Sequence, residues 1–148
     1  MHDIYQVVNY RRFRPYVVGN ARLETLHTGM RWAEGPVWLA DSGRLLLSDV
    51  PSNRILAFDV GDDGSLRNRR VFAVIDAGIP DGFRVDVDGN VWTSAEDGVH
   101  CIASDGELLG KIRVPETVAN VAFGGPKRNR LFIAAASSLY AVYVGTKG

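Results

Sequence analysis

IPDGFRVDVDGNVWTSAEDGVHCI, residues Ile79 to Ile102, holds three short apolar runs separated by two acidic glycine turns. The runs are Gly82 to Val87, Val91 to Ala95 and Val99 to Ile102, and the turns are Asp88-Gly89-Asn90 and Asp97-Gly98. Asp offers a side-chain acceptor to the turn amides and Gly accepts a positive φ, so each turn predicts a hairpin. Hairpins in series, with nothing helical between them, predict an antiparallel meander.

The same grammar runs outward in both directions. Asp41-Ser42-Gly43, Asp62-Asp63-Gly64 and Asp105-Gly106 punctuate further runs at Gly35 to Leu39, Arg44 to Ser48, Arg54 to Asp59, Arg70 to Ile75 and Leu108 to Arg113. Val118 to Phe123, Arg130 to Ala135 and Ser138 to Val144 complete the set. No segment keeps a helical apolar stripe for three turns, so the chain reads as all-β. A four-stranded propeller blade takes roughly 40 to 45 residues, which makes residues 32–148 a partial β-propeller of about three blades. Residues 1–31 form an N-terminal arm and first strands. Propellers close with roughly four to eight blades, so such an arc leaves two blade faces uncovered. Dimerisation, with two chains head to tail, is one way to complete the ring.

At 46% hydrophobic residues, 148 positions supply one core. Seventeen basic residues balance seventeen acidic ones, so no net field draws the chain to nucleic acid or to an anionic membrane. The arginine and lysine clusters at Arg11, Arg12 and Arg14, at Arg67, Arg69 and Arg70, and at Lys127, Arg128 and Arg130 read as solvated faces. A small neutral or singly charged molecule is the expected ligand, and no run approaches membrane-spanning length. The single cysteine, Cys101, excludes an intrachain disulfide and a thiolate cluster and reads as a small apolar strand residue. Together these features predict a soluble, cytoplasmic protein.

Two further motifs carry chemistry. WAEGPVW, Trp32 to Trp38, and IPDGF, Ile79 to Phe83, each set a carboxylate, Glu34 or Asp81, beside small turn residues at the head of a strand. They lie about 45 residues apart. A Glu or Asp beside Gly or Pro also serves as a plain turn residue, so the motifs alone do not assign a function. The RVDVDG string, Arg84 to Gly89, imitates a calcium loop, but Arg84 and Ala95 stand where the EF-hand pattern needs acids. His2, His27 and His100 show no metal spacing. A nucleophile elbow, a phosphate-binding glycine loop and a dinucleotide fingerprint are all missing. Trp32, Trp38 and Trp92 are candidates to wall a sugar-sized pocket or to pack between blades.

These residues resemble the SMP-30/gluconolactonase/LRE-like family. One match runs from about Phe13 to Asp59, through GNARLETLHTGMRWAEGPVW and LLLSDVPSNRIL; the other runs from about Leu56 to the end, through LLGKIRVPETVANVAFGG and NRLFIAAASSLYAV. Segments resembling NSPND and PNGL, which lie between these halves in the family, are absent, and the junction falls near Ser52 to Phe58. The resemblance implies a propeller with about three of six blades removed. It also implies metal-dependent hydrolysis of a sugar lactone, with the ion held by Glu34, Asp81 and two Asn that have no counterpart here. Asp81 is then also the base that takes a proton from the attacking water. Hard oxygen donors suit Ca²⁺ first, with Zn²⁺, Mg²⁺ or Mn²⁺ as alternatives. Asn120, in VANVAFGG, is not assigned a metal role. The competing expectation is an inactive remnant or binding module, and a third is a subunit that borrows its missing blades from another protein.

Overall fold

The computed structural model describes residues 4–148, so His2 lies outside the described residues. It contains eleven strands: β1 (Ala33–Leu39), β2 (Arg44–Asp49), β3 (Arg54–Val60), β4 (Leu66–Val74), β5 (Phe83–Val85), β6 (Val91–Ala95), β7 (Gly98–Ile102), β8 (Leu108–Arg113), β9 (Val118–Gly124), β10 (Arg130–Ala135) and β11 (Leu139–Tyr143). They form three antiparallel sheets ordered β1-β2-β3-β4, β5-β6-β7-β8 and β9-β10-β11. Each sheet is a meander of sequence neighbours, so the chain is the partial β-propeller that its turns predict. The first strand of each sheet, β1, β5 and β9, lies against its counterpart in the next sheet, which makes these three the inner strands of the arc.

One hairpin works through a buried carboxylate as well as glycine. Asp86 is only 5% exposed, and its carboxylate accepts from Asp88 N and Asn90 N at 2.9 Å, Asn90 Nδ2 at 3.0 Å and Trp92 Nε1 at 2.9 Å. Four donors from one hairpin therefore replace the water that the charge gives up on burial. Alternation puts one side of each blade into a core. Leu46, Ile55, Ala57 and Ile75 of the first sheet interleave with Phe83, Val91, Ala95 and Ile102 of the second. Val99 joins Val118, Val121, Leu131 and Ile133 between the second and third. Fully burying side chains of this size stabilises by about 1.5–3 kcal/mol each.

The first blade's other side carries Leu47, Leu56 and Phe58. These are buried because the arm folds back over them, with Met30 packed on the cluster and the His27 ring 5.1 Å from that of Phe58. The arc therefore has one covered face and one open face. On the open side Phe132 stands opposite Ala122 and Ala141, and Leu139 and Tyr143 are 73% and 68% exposed.

Two features differ from the sequence reading. β4 begins at Leu66 instead of Arg70, because Asp59 accepts from Asn68 Nδ2 at 2.8 Å and Arg70 Nη2 at 2.9 Å across a register shift. The polar run Arg67 to Arg70 shows no alternation, which hides a strand held by side-chain pairing. The described part of the arm has no strand; it carries a short helix, α1 (Tyr10–Phe13), whose N-cap Asn9 side chain accepts from Arg12 N at 3.2 Å.

Two polar networks tie elements together. Lys111 Nζ donates to Asp76 at 2.7 Å and Asp97 at 3.0 Å, which pins the segment after β4 onto the second blade. Glu116 accepts from Ser137 N at 2.8 Å, Ser138 Oγ at 2.7 Å and Tyr140 hydroxyl at 2.9 Å, and these donors hold its carboxyl down at about 2. A carboxyl depressed on folding stabilises above its ordinary value of 4.5, and that contribution disappears as pH falls through about 2. Glu116→Gln is accordingly expected to lower the thermal midpoint at pH 7, with the gap to the parent protein closing on acidification towards pH 2. A gap independent of pH contradicts this role.

Candidate functional site

The heads of the inner strands converge because two glycines leave room for their neighbours. Gly35 has φ 58°, and a Cβ there would lie 2.6 Å from the Asp81 carbonyl oxygen and 2.9 Å from the Phe83 ring. A Cβ at Gly82 would overlap the Asn120 carboxamide. A side chain at Gly35 presses on the Asp81 backbone, and one at Gly82 displaces the Asn120 carboxamide. Backbone bonds fix the arrangement, with Gly82 N donating to Ala119 O at 2.9 Å and Ser94 Oγ accepting from Asp81 N at 2.9 Å and Gly82 N at 3.2 Å. On β1, Trp32 Nε1 donates to Glu34 Oε1 at 2.7 Å. The approach to β1 is itself held by Asp49 Oδ1, which accepts from Arg31 N at 2.8 Å and Trp32 N at 3.2 Å.

Glu34 from β1, Asp81 from the turn before β5, Asn120 from β9 and Arg84 from β5 line one cavity of about 340 Å³, floored by Gly35, Pro36 and Val37. The two motif carboxylates thus line the same cavity. Burial, and then repulsion from the Glu34 carboxylate, push the Asp81 carboxyl above its usual value. Asn120 Oδ1 accepts from Val121 N at 2.8 Å, and a carboxamide oxygen has a second lone pair to offer. Two carboxylates and an amide carbonyl are hard donors, and a divalent cation between them relieves the repulsion that raises Asp81, so these residues fit a hard ion.

The other sequence candidates separate. Trp32 touches the site through Glu34, while Trp38 lines a different cavity of about 390 Å³ at the far end of the inner strands, with Arg44, Asp86 and Asp88. Trp92 bonds Asp86 and packs edge-on to Phe123 at 6.1 Å, so it is a packing residue. Cys101 is half-buried, and burial followed by the charge of Asp86 pushes its thiol up to about 11. His100 is buried, and its Nε2 lies 2.6 Å from Asp97 Oδ1. Asp76, Asp97 and His100 offer ligand atoms within 4.8 Å of one another, a second group able to hold a metal. The Lys111 ammonium already sits on both carboxylates and supplies their counter-charge. Asn120, read in VANVAFGG without a metal role, is brought to the cavity by the packing of β5 against β9, a contact between sheets that no local pattern announces; Arg84, given no site role from the sequence, lines the cavity from β5.

A family model described as the SMP-30/Gluconolactonase/LRE-like region matches residues 14–137. A gluconolactonase of Zymomonas mobilis is 32% identical over 141 residues, covering 87% of this chain and 39% of the relative. A lactonohydrolase of Aspergillus oryzae is 39% identical over 99 residues, covering 61% of this chain and 21% of the relative. Among solved structures, a gluconolactonase of Xanthomonas campestris aligns with a TM-score of 0.73 and 38% identity, covering 78% of this chain and 39% of the other. The chain therefore spans well under half the length of these relatives.

If Glu34 is what repels Asp81, then Glu34→Gln lowers the apparent pKa of Asp81 towards the ordinary carboxylate range. Carbon-13 detected titration of the Asp81 carboxyl reads this directly; an unchanged titration contradicts the coupling.

Proposed function

The chain belongs to the SMP-30/gluconolactonase/LRE-like family, and from that premise we propose that the Glu34–Asp81 cavity hydrolyses the ring ester of a small sugar lactone with the help of a divalent cation. The observation that carries this reading is the convergence of the two motif carboxylates on one cavity, where burial and then the charge of Glu34 raise Asp81. The relatives' names, gluconolactonase and lactonohydrolase, supply the substrate class.

Glu34, Asp81 and Asn120 are the residues that would hold the ion, and Ca²⁺ suits such oxygen donors best, with Zn²⁺, Mg²⁺ and Mn²⁺ as alternatives. When bound, the ion supplies positive charge that polarises the lactone carbonyl and acidifies a neighbouring water. Asp81 takes the proton from the attacking water, a role served by a carboxyl whose affinity for protons is already raised. The Trp32 indole orients Glu34 through its Nε1 bond, and its exposed ring offers a stacking surface beside the carboxylates. Lactone-sized ligands match the cavity volume, which lies within the range of small-molecule sites.

Ring completion by a second copy is part of this proposal, since one chain supplies three sheets and leaves the β9-β10-β11 face open. A head-to-tail pair must also displace the arm from Leu47, Leu56 and Phe58. Among the described residues no helix is long and apolar enough to cross a membrane. The single cysteine, Cys101, supports a reducing, cytoplasmic setting. The competing reading is a non-catalytic binding module.

Lactone hydrolysis, followed by acid release in a weakly buffered indicator assay with and without Ca²⁺, separates the two. Ion-stimulated hydrolysis that disappears in Asp81→Ala supports the enzyme; full activity in that variant removes Asp81 from the mechanism. Calcium is also expected to raise the thermal midpoint of the parent protein, because a ligand that binds only the folded state stabilises by about 2.7 kcal/mol at a hundredfold excess over Kd. The rise should vanish in Glu34→Gln/Asp81→Ala. An equal rise in that double variant places the ion elsewhere.

A further inference from the structure

Arg84 is the one cation among the residues that line the Glu34–Asp81 cavity. It sits on β5 opposite Trp92, and its Nη1 donates to the carbonyl of Phe83 at 2.8 Å. That bond uses one of five guanidinium donors and steadies the side chain without neutralising it. Among the described residues Arg84 makes no ion pair, although two carboxylates share its cavity. Arg67 and Arg70, by contrast, close onto Asp63 at 3.2 Å and Asp59 at 2.9 Å. Arg84 therefore keeps most of its donors available in a site whose other charges are negative.

Lactone hydrolysis creates a charge that such a site must accommodate. One water adds across the ring: its oxygen bonds the carbonyl carbon, the carbon to ring-oxygen bond breaks, and the ring oxygen leaves as a hydroxyl with one proton. The second proton passes to Asp81 and on to solvent, and the product is an open-chain carboxylate. Glu34 and Asp81 repel that carboxylate, whereas a planar guanidinium pairs with it through two parallel N–H bonds. Resting on the lactonase reading above, we propose that Arg84 binds the carboxylate that ring opening creates and so adapts the cavity to aldonic acids and their lactones. The residue acts on the nascent anion and holds neither the ion nor the attacking water.

Calorimetric titration of gluconate into the parent protein, Arg84→Met and Arg84→Lys tests this, with sorbitol as the neutral control. It is run with and without Ca²⁺, against a protein-free calcium blank. The parent protein is expected to bind gluconate at least about tenfold more tightly than sorbitol, Arg84→Met to lose that preference, and Arg84→Lys to recover part of it. Arg84 is exposed, so the variants are expected to fold, and circular dichroism checks this. Gluconate binding in Arg84→Met as tight as in the parent overturns the proposal, as does a parent protein that does not distinguish gluconate from sorbitol. Calcium titration of the same variants keeps the two readings apart. Uptake that depends on Glu34 and Asp81 but is unchanged in Arg84→Met upholds the ion site whatever Arg84 does. Absence of uptake in the parent refutes the ion site, while the calcium-free gluconate comparison still decides on Arg84.

Discussion

At Gly35 the chain has no room for a side chain, because the Asp81 carbonyl and the Phe83 ring occupy the space that a Cβ needs. Gly82 faces the same restriction from Asn120. These two contacts let β1, β5 and β9 pack with their backbones nearly touching, and the position of every charged group in the cavity follows from them. Glu34 is adjacent to Gly35 and Asp81 is adjacent to Gly82, so each carboxylate is delivered by the residue that permits the approach. Burial of Asp81 and, after it, repulsion from Glu34 are the electrostatic consequences of that packing, and both raise its carboxyl. The cavity is thus coupled to the inter-blade core through Phe83, fully buried and one residue beyond Gly82.

Each core layer needs a sheet on both sides, and this explains what the arm does. The first blade buries one side against the second, but its other side carries Leu47, Leu56 and Phe58, on which the arm packs through Met30 beside the blade's own Leu45 and Leu66. A free apolar surface of that kind is a liability in water, and Met30 and His27 remove it. At the opposite end, Arg130 lies over the Phe132 and Tyr143 rings at 5.3 and 5.4 Å, which softens the open face without covering it. The two ends of the arc are therefore unlike, and any partner that completes the ring meets a different task at each.

Strands from Val91 to Arg113 were legible because Asp-Gly turns bracket clean alternation, and β6 and β8 begin and end where that pattern does. β4 was less legible because its first half is polar on both faces and gains order from Asp59. Glu34 and Asp81 could be read as a pair from their motifs, and the cavity joins them. Asn120 and Arg84 could not, since one reaches the site across a sheet boundary and the other looks like any strand arginine. The arm's path was hidden for a related reason: LETLHTGM has no periodicity that points to Phe58. Short-range patterning encodes hairpins, while contacts between blades depend on register.

The central claim is that the two motif carboxylates share one divalent ion. The most direct measurement is the anomalous diffraction signal of a crystal grown with Mn²⁺. The account predicts a single strong peak in the Glu34–Asp81 cavity, with carboxylate oxygens from both residues at about 2.0–2.6 Å. A cavity without a peak, or a peak at Asp76, Asp97 and His100 instead, would contradict it.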